Sequence, residues 1–383
     1  MFTRKLTLPE HSFFLFGPRG TGKTTWLRQV LPNALWFDLL RTQTVLSLTR
    51  QPESFRQQVE ARPPKSWVVV DEVQRLPLLL NEVHALIADR GHDYQFALSG
   101  SSARKLKRMD VNLLAGRAIN RQFFPLTAHE LNYDIDVDRV LRFGLLPQIR
   151  VESDFAVDAL EAYVAHYIRE EIQQEALVRS LDSFSRFLEV AALMNGQIVN
   201  TAGLARDAGV ARPTVQGYFS TLVDTLIGFW LPAWRKRAKV KEVVSPKFYL
   251  FDPGVVRALA GRLREPLDGT ERGFLLETWL LHELRAAMSF QDTGGQLNYW
   301  RTPSGGEVDF IWTRGTRSVG FEIKAGSVWR NEYGRSLKSL IVDQVLNAGY
   351  GVYTGEVELR DGPLRILPLA QFLKELSAGQ VLG

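Results

Sequence analysis

Residues 17–24 constrain this chain more than any other segment, because they form a phosphate-binding loop directly after the apolar run 13–16. Glycines let backbone N–H groups face phosphate oxygens, and the helix that opens behind the loop adds its positive end. Lys23 is expected to neutralise the outer phosphates and Thr24 to ligate magnesium. The spacing predicts a strand, loop and helix that bind a nucleoside triphosphate. The predicted binding residues are Gly17, Pro18, Arg19, Gly20, Thr21, Gly22, Lys23, Thr24 and Thr25.

A second apolar run, residues 67–70, ends in the adjacent carboxylates Asp71 and Glu72. A continuous apolar run is typical of a buried parallel strand, and two acids at its end form a Walker B pattern. Asp71 is expected to hold magnesium through its water shell, and Glu72 to polarise a water for attack on the terminal phosphate. The alternative interpretation is a strand capped by surface acids.

A third apolar run, residues 95–98, ends in the small polar sequence Ser99-Gly100-Ser101-Ser102. Ligands of open α/β sheets bind at the carboxyl ends of the strands, so a hydroxyl there can contact the nucleotide. Ser101 is the predicted sensor of the terminal phosphate, ahead of Ser102 and Ser99. An ordinary serine-glycine turn is the competing interpretation.

Composition narrows the chemistry. The 383 residues, 45% of them hydrophobic, are enough for two or three globular domains. The absence of cysteine rules out disulfides, thiol nucleophiles and cysteine-ligated zinc, so a metal is expected to be a hard ion bound by oxygen. A net charge of +5 permits nucleic-acid binding. With no signal peptide or apolar stretch of about 20 residues, a cytoplasmic location without membrane contact is expected.

The order of the elements indicates the fold of the first part of the chain. Strands alternate with helices up to about residue 135, which is typical of a doubly wound α/β domain. A helical linker is expected next, around residues 155–177. The predicted strands are 13–16, 34–38, 67–71, 95–99 and 123–126, and the predicted helices are 23–31 and 78–90.

Residues 180–255 have a different pattern. A helix at 184–194 precedes two short helical segments around a glycine turn within 200–219, as a helix-turn-helix requires. Residues 229–237 and 247–251 then predict a two-stranded wing with a basic tip.

The helix-turn-helix and wing supply candidate DNA contacts. The second helix can present polar side chains to bases, and the wing can neutralise phosphates. Two alternatives stay open: a winged helix that connects proteins, and a basic hairpin that is merely solvated. The candidate residues are Arg212, Thr214, Gln216 and Tyr218 on the helix, and Arg235, Lys236, Arg237, Lys239 and Lys241 on the wing.

The last part of the chain, from about residue 256, has its own acidic constellation. Glu277 lies on an amphipathic helix, and Asp309, Glu322 and Lys324 lie on two adjacent predicted strands. Three carboxylates can hold a magnesium ion that clamps a phosphodiester, with Lys324 beside the attacking water. The alternative is a hairpin with an ordinary cross-strand Glu–Lys pair.

Several segments together resemble one family. The phosphate loop and the Walker B pattern, together with residues 114–118 followed by 124–131, resemble prokaryotic AAA+ superfamily ATPases with a C-terminal restriction-endonuclease-like domain. Residues 247–254 and 307–310 are similar to later signatures of the same family. The resemblance implies an α/β fold with a P-loop AAA+ core, a winged-helix module and a PD-(D/E)XK-like domain. Val308 stands where that nuclease motif has proline. The implied domains are the core at 1–135, a helical linker or lid at 136–179, the winged helix at 180–255 and the endonuclease-like domain at 256–383.

The resemblance also implies partners. It favours ATP over GTP, and a homo-oligomeric, hexameric ring in which a neighbour's arginine completes the site. Arg117 is the leading candidate for that arginine, with Arg104 and Arg108 as runners-up.

The predicted function is a magnesium-dependent ATPase that translocates on or remodels branched or single-stranded DNA, with metal-dependent cleavage as an additional activity. A nucleotide-dependent switch or scaffold that binds proteins, with an inactive nuclease-like domain, is the alternative. A small-molecule kinase ranks last because it leaves residues 180–383 unexplained.

Overall fold

The computed structural model of the chain describes residues 2–102, 117–151, 153–168, 181–235 and 245–382. These residues form two compact units. The first unit comprises residues 6–125 together with 224–226, and the second comprises residues 1–5, 126–223 and 227–383, apart from the gaps just given.

The first unit is built on a five-stranded parallel sheet in the order β2-β3-β4-β1-β5. Its central strands are mostly buried apolar runs, as expected of a parallel sheet that is covered on both faces. The strands are β1 (Phe13–Phe16), β2 (Leu35–Asp38), β3 (Ser66–Asp71), β4 (Tyr94–Gly100) and β5 (Ile119–Gln122). The helices are α1 (Lys23–Val30), α2 (Thr42–Arg50), α3 (Glu53–Glu60) and α4 (Leu79–Arg90).

The strand order positions the predicted site. β4 lies between β1, which leads into the phosphate loop, and β3, which ends in Asp71. The carboxyl ends of parallel strands meet at one edge of a sheet, so the serines at the end of β4 are placed between the loop and the two acids.

The last strand of this sheet differs from its prediction. β5 is formed by Ile119–Gln122, paired in parallel with β1, and not by 123–126. The edge strand is largely exposed and therefore polar, whereas Phe123 and Phe124, just beyond it, are buried. The apolar residues thus marked the segment that is buried in the core, and not the segment that pairs with β1 in the sheet.

The second unit begins with helices and a two-stranded antiparallel sheet, β6 with β7. Asn200 caps the first helix of the predicted helix-turn-helix, and Gly209 in the turn adopts a positive φ of 65°. The tip between the two strands lies outside the described residues. The elements are α5 (Val137–Phe143), α6 (Pro147–Val151), α7 (Ala156–Ala162), a π-helical turn (Tyr163–Ile168), α8 (Leu181–Leu193), α9 (Thr201–Asp207), α10 (Arg212–Asp224), β6 (Gly228–Leu231), β7 (Lys247–Leu250) and α11 (Pro253–Leu259).

The remainder of the second unit is a six-stranded mixed sheet in the order β12-β13-β11-β10-β9-β8, with helices packed against it. The long helix α12 packs on β10, and its residues Trp279 and Leu280 are fully buried. The elements are α12 (Gly269–Phe290), β8 (Gln296–Arg301), β9 (Glu307–Arg314), β10 (Arg317–Lys324), α13 (Arg335–Val342), β11 (Ala348–Tyr353), β12 (Leu359–Asp361), β13 (Leu364–Pro368) and α14 (Leu369–Ser377).

A single apolar cluster runs through the second unit, from Leu126 to Leu382. It includes side chains from the predicted linker, the predicted winged helix and the predicted endonuclease-like segment. The division of this unit into three domains stays a prediction. In the part of the chain that the structure describes, no helix is both long and apolar enough to cross a bilayer.

Candidate nucleotide site and acid–lysine cluster

The phosphate loop has the backbone shape that its glycines predict. Gly20 and Gly22 adopt positive φ angles of 80° and 94°, a conformation that costs glycine little. Gly17 packs so closely against the segment after β5 that a Cβ there would overlap the carbonyl oxygen of Phe123. α1 begins at Lys23, so the loop presents the N-terminal end of a helix.

The side chain of Lys23 lies inside the loop. It is 4% exposed, and its Nζ donates hydrogen bonds to the carbonyl oxygens of Gly17 at 2.7 Å and Pro18 at 3.1 Å. Thr21 Oγ1 also donates to the Pro18 carbonyl, at 2.8 Å. The loop therefore encloses the Lys23 amine at the N-terminus of a helix. The amine and the backbone N–H groups of that helix end are the hydrogen-bond donors that phosphate oxygens require.

Thr24 and Asp71, distant in sequence, meet at this edge of the sheet. Thr24 Oγ1 donates to Asp71 Oδ2 at 2.8 Å, and Ser99 Oγ donates to Asp71 Oδ1. Burial raises the pKa of Asp71, although the hydrogen bonds from Ser99 and Thr24 act in the opposite direction. Hydroxyl and carboxylate oxygens are ligands that Mg²⁺ prefers, so these residues fit a magnesium ion.

Glu72 is held in an unusual conformation. Its φ of 60° and ψ of 50° are left-handed, which costs a residue with a side chain about 1–3 kcal/mol. Its backbone N–H donates to Ser99 Oγ at 3.3 Å, and its Oε2 accepts hydrogen bonds from Ser101 Oγ at 3.0 Å and from Gln74 Nε2. Burial opposes ionisation, but the charge of Lys23 and the hydrogen bonds from Gln74 and Ser101 outweigh it and lower the pKa of Glu72.

The structure brings most of the predicted nucleotide residues together. Ser101 lies beside Glu72, Ser99 beside Asp71, while Ser102 Oγ donates to the carbonyl oxygen of Asp224 at 3.3 Å. The sensor role of Ser101 stays a prediction. The predicted binding residues differ in exposure: Gly20 and Thr25 are exposed, whereas Arg19, Gly22 and Thr24 are half-buried.

The candidate trans arginine is on the surface. Arg117 is exposed, and its Nη1 lies 2.6 Å from Nε2 of His84. An exposed guanidinium can reach a neighbouring subunit, but its role stays a prediction. Arg104 and Arg108 lie outside the described residues.

Sequence analysis missed one residue of this site, Gln74. It is 7% exposed and donates to both Glu72 and Ser101. A signal was available: a polar amide two positions after the acid pair, in a turn whose neighbour Val73 is fully buried.

The second unit contains an acid–lysine cluster, which we define as Glu277, Glu307, Asp309, Glu322, Lys247 and Lys324. Lys324 Nζ lies 2.6 Å from Glu322 Oε1 and 3.9 Å from Asp309 Oδ2. Lys247 Nζ lies 2.8 Å from Glu307 Oε1 and 4.0 Å from Glu277 Oε2. The cluster thus interleaves acids with lysines.

Burial dominates the protonation of this cluster. It raises the pKa of Glu277 to about 8, assisted by the charge of Asp309, and raises the pKa of Glu322 well above its ordinary value. Burial alone would lower the pKa of Lys324, but Asp309 and Glu322 outweigh it and raise that pKa. The hydroxyl of Tyr249 donates to Glu277 Oε2 at 2.9 Å.

The predicted second metal site stays a prediction. Within the described ranges, no three acidic or histidine side chains converge as metal ligands. The carboxylates of Asp309 and Glu322 share Lys324, and Glu277 contacts Tyr249 and Lys247 instead. The predicted Glu322–Lys324 pair on one face of β10 is present. Lys247 and Tyr249 were missed because no spacing rule connects β7 to β9, β10 and α12.

The candidate DNA-binding side chains differ in their exposure to solvent. Arg212 and Gln216 are exposed, Thr214 is half-buried, and Arg212 Nε donates to Thr201 Oγ1 at 3.1 Å. Arg235 is exposed. The predicted contacts at Lys236, Arg237, Lys239 and Lys241 lie outside the described residues.

Tyr218 was wrongly expected to reach DNA. Its side chain is only 5% exposed and packs edge-on against Phe184, with ring centroids 4.9 Å apart. The helical period places position 218 on the same buried face as Val215 and Phe219, so it belongs to the core.

Three families match consecutive parts of the chain. Residues 10–132 match a family described as "AAA domain". Residues 135–265 and 272–372 match two families described as domains of unknown function, DUF8612 and DUF4143. The first match and the geometry of the phosphate loop support an AAA-type P-loop ATPase domain in the first third of the chain.

Similar proteins extend over nearly the whole chain. The uncharacterized proteins Mb2031c of Mycobacterium bovis and Rv2008c of Mycobacterium tuberculosis are each 28% identical over 379 residues, which cover 96% of this chain and 80% of theirs. Their names assign no activity.

Several solved structures have some similarity to this chain. One is a RuvB variant of Thermotoga maritima, which is 17% identical and has a TM-score of 0.32. The match covers 58% of this chain and 82% of that chain. The ORC2 protein of Aeropyrum pernix in its ADP form has 13% identity, 66% and 88% coverage, and a TM-score of 0.33. These scores are too low to support an argument about fold or function.

Proposed function

We propose that the chain is a magnesium-dependent ATPase that acts with DNA. The observation that carries the ATPase assignment is the contact between Thr24 and Asp71 beside a carboxylate, Glu72, whose pKa is lowered. Groups that could bind phosphate, bind magnesium and activate a water thus lie at one edge of the sheet, which supports the proposal.

The residues divide the chemistry among them. Lys23, which now donates to loop carbonyls, can turn its three donors to the β- and γ-phosphates of ATP. Thr24 and Asp71 would hold Mg²⁺, which supplies charge neutralisation at the phosphates when bound. Glu72 uses its second oxygen, Oε1, to orient a water in line with the γ-phosphate and accept its proton.

Hydrolysis and nucleotide binding test this assignment separately. Steady-state ATP hydrolysis in Mg²⁺ is expected for the wild-type chain, and loss of magnesium to a chelator should abolish it. Binding of a fluorescent ATP analogue with no hydrolysis would leave a nucleotide-binding protein and remove the catalytic role of Glu72.

The ring is also a proposal, supported by the exposed guanidinium of Arg117. If Arg117 acts in trans, Arg117→Ala subunits should bind ATP normally yet lower the turnover of wild-type subunits when the two are mixed. If turnover instead depends strictly linearly on the fraction of wild-type subunits, Arg117 is a surface residue without a role in a neighbour's site. Light scattering in the presence of ATP measures the ring size, for which we expect a hexamer.

DNA is the proposed partner, through α10 and the wing. Arg212, Gln216 and Arg235 are exposed, and the chain carries a net charge of +5. Single-stranded, duplex and four-way-junction DNA should be compared as stimulators of ATP hydrolysis at two salt concentrations, since phosphate contacts are salt-sensitive. Stimulation by one of them would identify a DNA motor and its substrate.

Arg212→Ala should reduce the slope of log DNA affinity against log salt concentration by about one unit.

A second candidate is a nucleotide-dependent switch that binds proteins and has an inactive nuclease-like domain. The acid–lysine cluster favours it, because its acids are paired internally with lysines. Magnesium-dependent DNA cleavage that is lost in Asp309→Ala with Lys324→Ala would instead support a nuclease. Slow turnover with no response to any DNA would favour the switch.

A further inference from the structure

We infer that Gln74 is a positioning residue for ATP hydrolysis, which holds the carboxylate of Glu72 against Ser101 and leaves one carboxylate oxygen for the attacking water. This inference rests on the proposed ATPase function. It adds a residue outside the phosphate loop and outside the acid pair to the catalytic machinery.

The hydrogen bonds of Gln74 form a closed triangle. Its Nε2 donates to Glu72 Oε2 and, at 3.0 Å, to Ser101 Oγ, while Ser101 Oγ donates to the same Glu72 oxygen at 3.0 Å. Both donors thus engage Oε2. Glu72 Oε1 accepts no hydrogen bond from the described residues, so one face of the carboxylate is available to a water.

The orientation of the Gln74 amide follows from charge. An amide turned the other way would place its carbonyl oxygen against the Glu72 carboxylate, and two acceptors would repel one another. With the amine toward Glu72, the carbonyl Oε1 is buried and has no hydrogen-bond partner among the described residues. A buried carbonyl oxygen without a hydrogen bond costs free energy. The amide nevertheless keeps this orientation, because its amine then donates to Glu72.

Gly100 provides the space for this arrangement. A Cβ at position 100 would lie 2.8 Å from Gln74 Oε1 and 3.4 Å from a ring carbon of Phe16. Its backbone φ is not in the left-handed region, so a side chain at position 100 would disturb the neighbouring amide and not the turn. Gly100→Ala is therefore a way to displace Gln74 without altering it.

The main experiment compares Gln74→Leu with wild type in kcat, in KM for ATP and in nucleotide Kd. We expect kcat to fall about tenfold or more, while KM and Kd stay within about twofold, because a misplaced base slows the chemical step without weakening binding. Gly100→Ala should lower kcat in the same direction. Gln95→Leu is the matched control, since Gln95 donates to the Glu10 carbonyl at the other end of β4.

The outcomes separate the inference from the proposed function. If wild type does not hydrolyse ATP, the proposed function fails. If wild type hydrolyses ATP and Gln74→Leu binds it normally with kcat unchanged, the positioning role is wrong. If Gln74→Leu does not fold, Gly100→Ala decides: an unchanged kcat in that variant overturns the inference.

Discussion

The phosphate-loop site of the first unit and the acid–lysine cluster of the second use the same residue types in opposite ways. In the first, Asp71 and Glu72 receive hydrogen bonds from hydroxyl and amide groups, and the amine of Lys23 donates to backbone carbonyls. In the second, Glu322 and Glu307 receive theirs from the lysines Lys324 and Lys247.

The difference shows that carboxylates near a lysine do not define a site by themselves. Neutral donors orient an acid and leave its charge to attract a metal or activate a water. A lysine in direct contact neutralises the acid and competes with a metal for its oxygens. The pKa values of the two acids follow from other causes: the charge of Lys23 is the strongest influence that lowers the pKa of Glu72, whereas burial raises the pKa of Glu277 to about 8 although Lys247 acts against it.

The strongest way to break the comparison is Lys23→Ala. If the amine is held for phosphate, its loss should weaken nucleotide binding by about 100- to 1,000-fold, because a buried charge-assisted contact is removed. Titration with a fluorescent ATP analogue measures this, with circular dichroism as the folding control. Binding that survives within about threefold of wild type would show that the loop does not bind phosphate.

Glu283, a buried acid of the second unit whose hydrogen-bond donors are all neutral, sharpens the comparison. Glu283 Oε1 accepts from the backbone N–H of Ala128 at 2.7 Å and from Trp279 Nε1 at 3.1 Å, and burial raises the pKa of Glu283 to about 7. Since the folded pKa lies above the ordinary value near 4.5, this acid costs stability as pH rises from about 4.5 to 7.

Replacing that acid should therefore remove a pH dependence. The stability of Glu283→Gln relative to wild type should improve by up to about 3 kcal/mol between about pH 4.5 and pH 8. Urea unfolding followed by near-UV circular dichroism at both pH values measures the difference. Glu189→Gln, an exposed change on α8, is the control. A relative stability independent of pH would contradict the assignment of a raised pKa to Glu283.

A smaller effect is expected when the cluster loses one lysine. Lys324→Met leaves Glu322 and Asp309 without their cation, and a partly exposed pair of this kind should cost about 2 kcal/mol at about pH 8. The loss should be smaller at about pH 5, because burial raises the pKa of Glu322 and favours its neutral form as the pH falls. Millimolar Mg²⁺ should stabilise the variant but not wild type. Equal stabilisation of both by Mg²⁺ would mean that the lysines do not exclude a metal.

Local motifs were predictable from the sequence because their residues are contiguous. The glycine spacing defined the loop, and the run ending in Asp71 and Glu72 defined β3 to within one residue. Contacts between distant segments were not predictable. Lys247 reaches Glu307 from a distant part of the chain, and no period or spacing connects them.

Two errors have a common physical origin. Apolar residues mark burial, and burial is not the same as strand pairing or surface exposure. Phe123 and Phe124 are buried beyond the edge strand β5, and Tyr218 is buried on the inner face of α10. Gln74 was missed for the converse reason, since a polar residue is rarely expected inside a core.

The central claim is that Glu72, held by neutral donors, activates the water that attacks ATP. The most direct test is steady-state ATP hydrolysis by Glu72→Gln with nucleotide affinity measured on the same preparation. The account predicts unchanged affinity and a kcat lower by about 100- to 10,000-fold. A variant that binds ATP and hydrolyses it at the wild-type rate would contradict it.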